Sequence, residues 1–372
     1  MYGIFLLLFF SVFPDTNADA ASPPLPLPQT GQTTCYNAMG KVVGCAGTGQ
    51  DGETLAGVAW PKPRFVDSND QTMLDRQTGL AWPKDANSAS GYMTWQQALD
   101  RAKALNDQNY LGHNDWRLPN IHELQSLVHS GENLAAWLQA QGFFGFKVDN
   151  YWTSSTYASY SHNAWNVNIY GGITAGLSKV DGGGYFWPVR SGQTGVLPLP
   201  ATGQSSCSDS NGKEIPCAGS GQDGDMQTGV AWPRPRFTDN GDQTMTDRLT
   251  GLVWSKDGKA PGPARCNPGT DKTWQEALDY VTCLNSNRYL GKSDWHLPNR
   301  NELASLVNYG HPDSSHWLIT QGFINVAAGS YWSSTTYTDA TWNAWRIGMH
   351  DGAVTTQAHK RTLNVWPVRS GQ

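Results

Sequence analysis

YWSSTTYTDATWNAWRIGMHDGAVTTQAHKRTLNVWPVR, residues 331–369, is the stretch whose reading decides the fold. A near copy occupies 151–190: YWTSSTY (151–157), HNAWNVNIYGG (162–172) and FWPVR (186–190). Both are dense in Trp, Tyr, Ser, Thr and Asn and poor in acid, which reads as the closing antiparallel sheet of a domain that occurs twice. Strand alternation puts Trp165, Val167 and Ile169 on one face, and Trp345, Ile347 and Met349 on the same face of the second copy. The opposite face reads Asn166, Asn168 and Tyr170 in one copy and Arg346, Gly348 and His350 in the other. The inner face keeps its apolar character while the outer face is rewritten. Drift on a solvated face produces that pattern, and so does a binding face whose specificity differs between copies. Rigid aromatics beside short polar side chains suit the second reading. The flanking loops add Tyr160, His162 and Trp342, and Lys179, Lys360 and Arg361 are cations for an anionic group on a ligand.

Outward from this stretch, the whole chain repeats. GQTTCYNAMGKVVGCAGTGQDG from residue 31 matches GQSSCSDSNGKEIPCAGSGQDG from 203. The expected organisation is a signal peptide at 1–20, a Pro-rich linker at 21–30, a first domain at 31–193, a second linker at 194–202 and a second domain at 203–372. The apolar run of residues 4–13, followed by Ala18-Asp19-Ala20, fits an export signal and is too short to span a bilayer. SPPLPLP (22–28) and VLPLPA (196–201) read as semi-stiff polyproline spacers. The LPQTG and LPATG they create lack the apolar span and basic tail of a sorting signal.

Bulk composition narrows the function. Charged residues make up 15%, net charge is −5 and no basic run occurs, which argues against nucleic acid as a partner. Six cysteines in an exported chain point to disulfides. Cys35/Cys45 and Cys207/Cys217 share one spacing and each close a small loop. Cys266 arrives with an insertion (262–270), and Cys283 stands where the first copy has Ala104, so these two are expected to pair.

FVDSNDQTMLDRQTGLAW (65–82) and FTDNGDQTMTDRLTGLVW (237–254) read as a hairpin and a third strand. Asp67, Asp70 and Asp75, with Asp239, Asp242 and Asp247, fit turn chemistry, the alternative being a structural calcium clasp. Two short helices follow. Thr94 and Thr273 open the first with capping boxes to Gln97 and Glu276, and Asn120 and Asn299 open the second with Glu123 and Glu302. Asp115 reads as a turn former rather than as half of a catalytic pair with Glu123. His122 and His129 read as a surface-facing pair. No nucleophile, metal-protease, P-loop or dinucleotide motif is present, so the expectation is a binding protein without a cofactor, not an enzyme.

TGLAW, the TW helix, DWRLPNIHEL (115–124), YWTSST, AW and the final PVR occur in one order in both copies. In this the chain resembles the domain family typified by the C-terminal domain of the Legionella collagen-like adhesin. Arg117 becomes His296 in copy two, and Pro188 and Pro367 stand where the family often has Cys. The resemblance implies an exported bacterial protein of the periplasm, cell surface or medium, an α+β domain, and carbohydrate or glycosaminoglycan binding. The expected fold is α+β: two tandem C-type-lectin-like domains, each with two short helices and a Trp-rich antiparallel terminal sheet. The expected partner is a glycan or a surface protein, met on the outer sheet faces. An envelope hydrolase or a structural envelope protein is the alternative.

Overall fold

A computed structural model describes residues 24–88 and 91–371; the expected signal peptide lies outside them. The chain is mixed α+β and folds as two similar units, each with one four-stranded and one three-stranded antiparallel sheet. In the first unit Phe65–Asp67, Thr72–Asp75 and Leu80–Pro83 form the expected meander. Gly79 makes its Thr-Gly turn at φ +79°, a left-handed conformation that favours glycine. The fourth strand is the chain's return, with Leu80 opposite Ser191 and Ala81 opposite Arg190. The closing PVR motif therefore completes this sheet, not the one that opens with YW. In unit two Val253 likewise pairs with Arg369.

The three-stranded sheets comprise Asn150–Thr156, Asn163–Asn168 and Thr174–Ser178, then Ser330–Thr336, Asn343–Gly348 and Val354–Ala358. Helices Trp95–Asp107 and Trp274–Ser286 carry the capping boxes expected of Thr94 and Thr273, and Asn120 and Asn299 cap the helices after them. Trp95, Ala98, Leu99, Ala102 and Leu105 are all buried, as the 3.6-residue period requires. Each unit has a further seven-residue helix beyond the expected two, Leu134–Ala140 and Ser314–Thr320, capped by Asn133 and Asp313.

Tryptophans frame each unit. Trp95, Trp116, Trp152 and Trp187 are buried and donate Nε1–H to the carbonyls of Thr153, Tyr110, Met93 and Pro83. Trp274, Trp295, Trp332 and Trp366 repeat this with Ser333, Tyr289, Lys272 and Ser255. Each of these eight indoles contributes about 5 kcal/mol of gross apolar burial with its donor satisfied, whereas the buried Nε1 atoms of Trp82, Trp254 and Trp345 have no partner. The three disulfides are Cys35–Cys45 and Cys207–Cys217, as their shared spacing implied, and Cys266–Cys283, as the insertion implied. They fit an exported protein. Among the described residues no helix is long and apolar enough to cross a membrane.

The proline-rich segments are not spacers. Val58 N–H donates to the Leu27 carbonyl and Gln29 N–H to the Val58 carbonyl, as Val230 N–H does to Leu199 and Ala201 N–H to Val230, and both leucines pack on the core. Each N-terminal strap also docks on the other unit. Asn301 Nδ2 donates to the Pro28 carbonyl at 3.0 Å and Asn299 Nδ2 to the Ala56 carbonyl at 3.0 Å. Reciprocally, His122 Nδ1 lies 3.0 Å from the Pro200 carbonyl, and Asn120 Nδ2 donates to Thr228 Oγ1 at 3.0 Å. One hydrophobic cluster runs through both units, with Trp165 edge-on to Tyr309 at 5.5 Å. Two linked beads are thus replaced by two units sharing a core and exchanging arms.

Candidate binding surface

The YWTSST stretch has a bulge between Trp152 and Thr156, where pairing with the next strand shifts register. Its hydroxyls are buried and serve the arm exchange. Ser155 Oγ donates to Asp223 Oδ2 at 2.5 Å, and Thr202 Oγ1 donates to the same oxygen at 2.8 Å. Asp223 Oδ1 has no partner. In unit two Thr335 Oγ1 and Thr30 Oγ1 both donate to Asp51 Oδ2 at 2.6 Å. Burial pushes both aspartates up to about 6, against the lowering effect of these hydroxyls. Gln204 exchanges hydrogen bonds with the Thr156 backbone, as Gln32 does with Thr336. Thr30, the threonine of LPQTG, is thereby a structural residue. Asp51, Asp223, Gln32 and Gln204 escaped the sequence reading, although their retention in both GQDG and TGQ repeats was the available signal.

The carboxylates read as turn formers have separate partners. Asp75 forms a buried ion pair with Arg64 at 2.8 Å, Asp67 pairs with Lys84 at 2.5 Å, and Asp70 faces His113 at 3.1 Å. Asp115 pairs with Arg190 at 2.7 Å, at the surface. Glu123 is buried, capping its helix and bound by both Nη atoms of Arg117 at 2.5 and 2.6 Å. His296 replaces Arg117 in unit two and lies 3.0 Å from Glu302. Burial works against the His296 proton, but the carboxylate outweighs it and the pKa is raised.

His122 and His129 are not a surface pair. His122 sits against the opposite arm, and His129 packs edge-on against Trp60 at 4.9 Å. Burial lowers both pKa values, that of His129 to about 4. Their counterparts Asn301 and Asn308 make the same hydrogen bonds with amides: Gly131 N–H donates to His129 Nδ1, and Gly310 N–H to Asn308 Oδ1.

The proposed ligand contacts separate into three groups. Tyr160, Tyr170 and Trp342 are 55%, 55% and 57% exposed, while the other aromatics of these sheets are buried or half-buried. His162, His350, Lys360 and Arg361 are exposed too, His350 pairing with Asp313 at 3.1 Å. Asn168 and Arg346 are half-buried. Asn168 Nδ2 donates to Asn150 Oδ1, and Arg346 Nη1 donates to Ser330 Oγ. Asn166 and Lys179 are fully buried and cannot meet a ligand. Asn166 Nδ2 donates to the Ala175 carbonyl within its own sheet, a face that alternation alone had left open to solvent.

Lys179 Nζ lies 2.7 Å from Ser208 Oγ and 3.1 Å from Thr156 Oγ1, and 4.0 Å over the Trp95 ring. Desolvation lowers it to about 7, partly offset by Asp209. The arm from the other half of the repeat covers it. Its counterpart is His359, stacked on Trp274 at 4.1 Å, not Lys360. A Ser–Lys pair at this distance is a nucleophile geometry, but the Ser208 hydroxyl donates to the Ser161 carbonyl at 3.2 Å. The Ser208 and Asp209 N–H groups are taken by Gln222 and Lys213, leaving neither as an oxyanion donor. The exposed residues also do not form one surface. Tyr160 and His162 precede the strand Asn163–Asn168 and Tyr170 follows it, so they sit at opposite ends of about 17 Å of strand.

The family model of the Lcl C-terminal domain matches residues 71–190 and, again, 243–369. No curated protein matches the chain. Both arms lie outside the matched segments.

Proposed function

The chain belongs to the Lcl C-terminal domain family, and on that premise we propose that it is an exported, adhesin-like protein that binds a glycan through side chains at the ends of its terminal sheets. The observation that carries this reading is the exposure of Tyr160, Tyr170 and Trp342 in sheets whose other aromatics are buried or half-buried. Exposed rigid rings, with Tyr160 6.1 Å from His162 and with His350, Lys360 and Arg361 also exposed, supply stacking faces and polar or cationic groups, the combination that holds sugars or a protein surface. The reading is non-enzymatic: the nucleophile-like pair Ser208 and Lys179 has its hydrogen bonds committed to the fold. A structural envelope role is the second reading, favoured by the shared core and the burial of Asn166 and Gly348 on the outer face.

A glycan array probed with the full chain tests the proposal, with the Y160A/Y170A/W342A variant as control. Expected is a set of bound glycans that the variant loses while its melting temperature holds. A folded chain that binds none, or a variant that binds as well as the parent, sinks it. The full chain is required because each unit is completed by the other's arm.

A further inference from the structure

The two halves of the molecule are near copies, so a place where one half is filled and the other open is informative. Ser208 and Tyr36 occupy equivalent positions next to the first cysteine of each arm. Their backbones are held alike: Gln222 receives the Ser208 N–H and donates to its carbonyl, as Gln50 does for Tyr36. Tyr36 is a buried phenol. Ser208 is smaller, and its hydroxyl meets Lys179 where the other half has His359. A second difference lies on the same wall: Ala158 stands where unit two has Thr338, whose Oγ1 donates to the Ser130 carbonyl. The result is a cleft of about 270 Å³, lined by Thr156 and Ser161 of unit one, Gln204, Ser206, Ser208 and Glu214 of the second arm, and Gly310 and Pro312 of unit two. Glu214 replaces Val42 of the first arm, which makes the wall acidic as well as hydroxylic.

We propose that this composite cleft is a binding site for a neutral sugar residue. The inference rests on the glycan reading above and names where, and for which class, that binding occurs. The wall offers hydroxyls and a carboxylate, the Gln204 amide being committed to Thr156 and Tyr309, and it has no large apolar side chain, so an apolar ligand would strand its polar groups. A polyhydroxylated ring supplies many donors and acceptors in a small volume. The Glu214 carboxylate accepts from sugar hydroxyls and repels sulfate or uronate. Ser206 and Glu214 are exposed, and the exposed Tyr160 and His162 are the chain neighbours of Ser161. The cleft exists only because the arms are exchanged, since three separated segments build it.

The test uses the full chain, the methyl glycosides of glucose, galactose, mannose and fucose, and a sulfated disaccharide, read by saturation-transfer NMR and calorimetry. S208Y paired with K179H reproduces the Tyr36 and His359 pair that unit two already accommodates, and A158T narrows the cleft without touching Lys179. Expected is binding of at least one neutral glycoside, weakened tenfold or more by each variant, with unchanged circular dichroism. Neutral glycosides that bind the variants as well as the parent overturn the cleft, as does binding of the sulfated sugar alone; both leave the glycan reading standing if the array is positive. No binding to the glycosides together with a silent array overturns both.

Discussion

Replacing Asp223 by Asn should stabilise the protein at neutral pH and do nothing in mild acid. The carboxylate is 1% exposed, with two hydroxyls on Oδ2 and none on Oδ1, and it faces Glu123 and Arg117. Burial raises its pKa from 3.8 to about 6. The folded state therefore holds this proton up to about pH 6 and the unfolded chain only to 3.8. Between those values folding takes up a proton, so stability from this group grows as pH falls and is missing above pH 6. The ionised carboxylate costs the folded state about 3 kcal/mol at pH 7. Asn keeps an acceptor for Ser155 and Thr202 without the charge. The wild-type curve alone does not isolate the effect, because His129 and His359, held neutral down to about pH 4, subtract stability as pH falls from 6.5. The difference between variant and parent does. Urea unfolding followed by tryptophan fluorescence should show D223N more stable by about 3 kcal/mol at pH 7, with the gap closing by pH 4. A gap that is the same at both pH values, or a variant weaker at pH 7, refutes the argument.

Further outcomes follow from the same contacts. Trp165→Ala should cost about 3–5 kcal/mol, whereas Tyr170→Ala should change stability by less than about 0.5 kcal/mol, compared by urea midpoint. Replacing Cys266 and Cys283 by Ser opens a loop of separation 17 and should cost about 3 kcal/mol, measured against the parent under oxidising conditions. The His296–Glu302 pair contributes stability that is complete below pH 6.5 and lost as pH rises through the raised His296 value. H296R, which copies the Arg117 pair of unit one, should flatten the stability curve above pH 6.5; a variant with the parent's slope would show that His296 is not its source.

Short-range signals made much of the fold legible. Thr94 and Asn120 with Gln97 and Glu123 three residues on fixed two helix starts, because a cap is a contact within one turn. The faces of Trp165, Val167 and Ile169 followed from alternation, and the disulfides from a spacing written twice. The candidate site was half legible: Tyr160, Tyr170 and Trp342 are exposed as their positions suggested, while Asn166 and Lys179 are not.

What the sequence by itself determined is part of the content of each unit: its two capping-box helices, its hairpin meander, the inner face of its terminal sheet and its cysteine pairs. Each is set by residues close in the chain or by comparison of the two copies. Only the tertiary structure decided that the arms cross over and that the units share a core. The bonds responsible join Gln32 to Thr336 and Asp51 to Thr335, positions about three hundred residues apart. Whether a polar side chain such as Lys179 meets water or a buried hydroxyl depends on which distant segment covers it, and periodicity in its own strand holds no record of that.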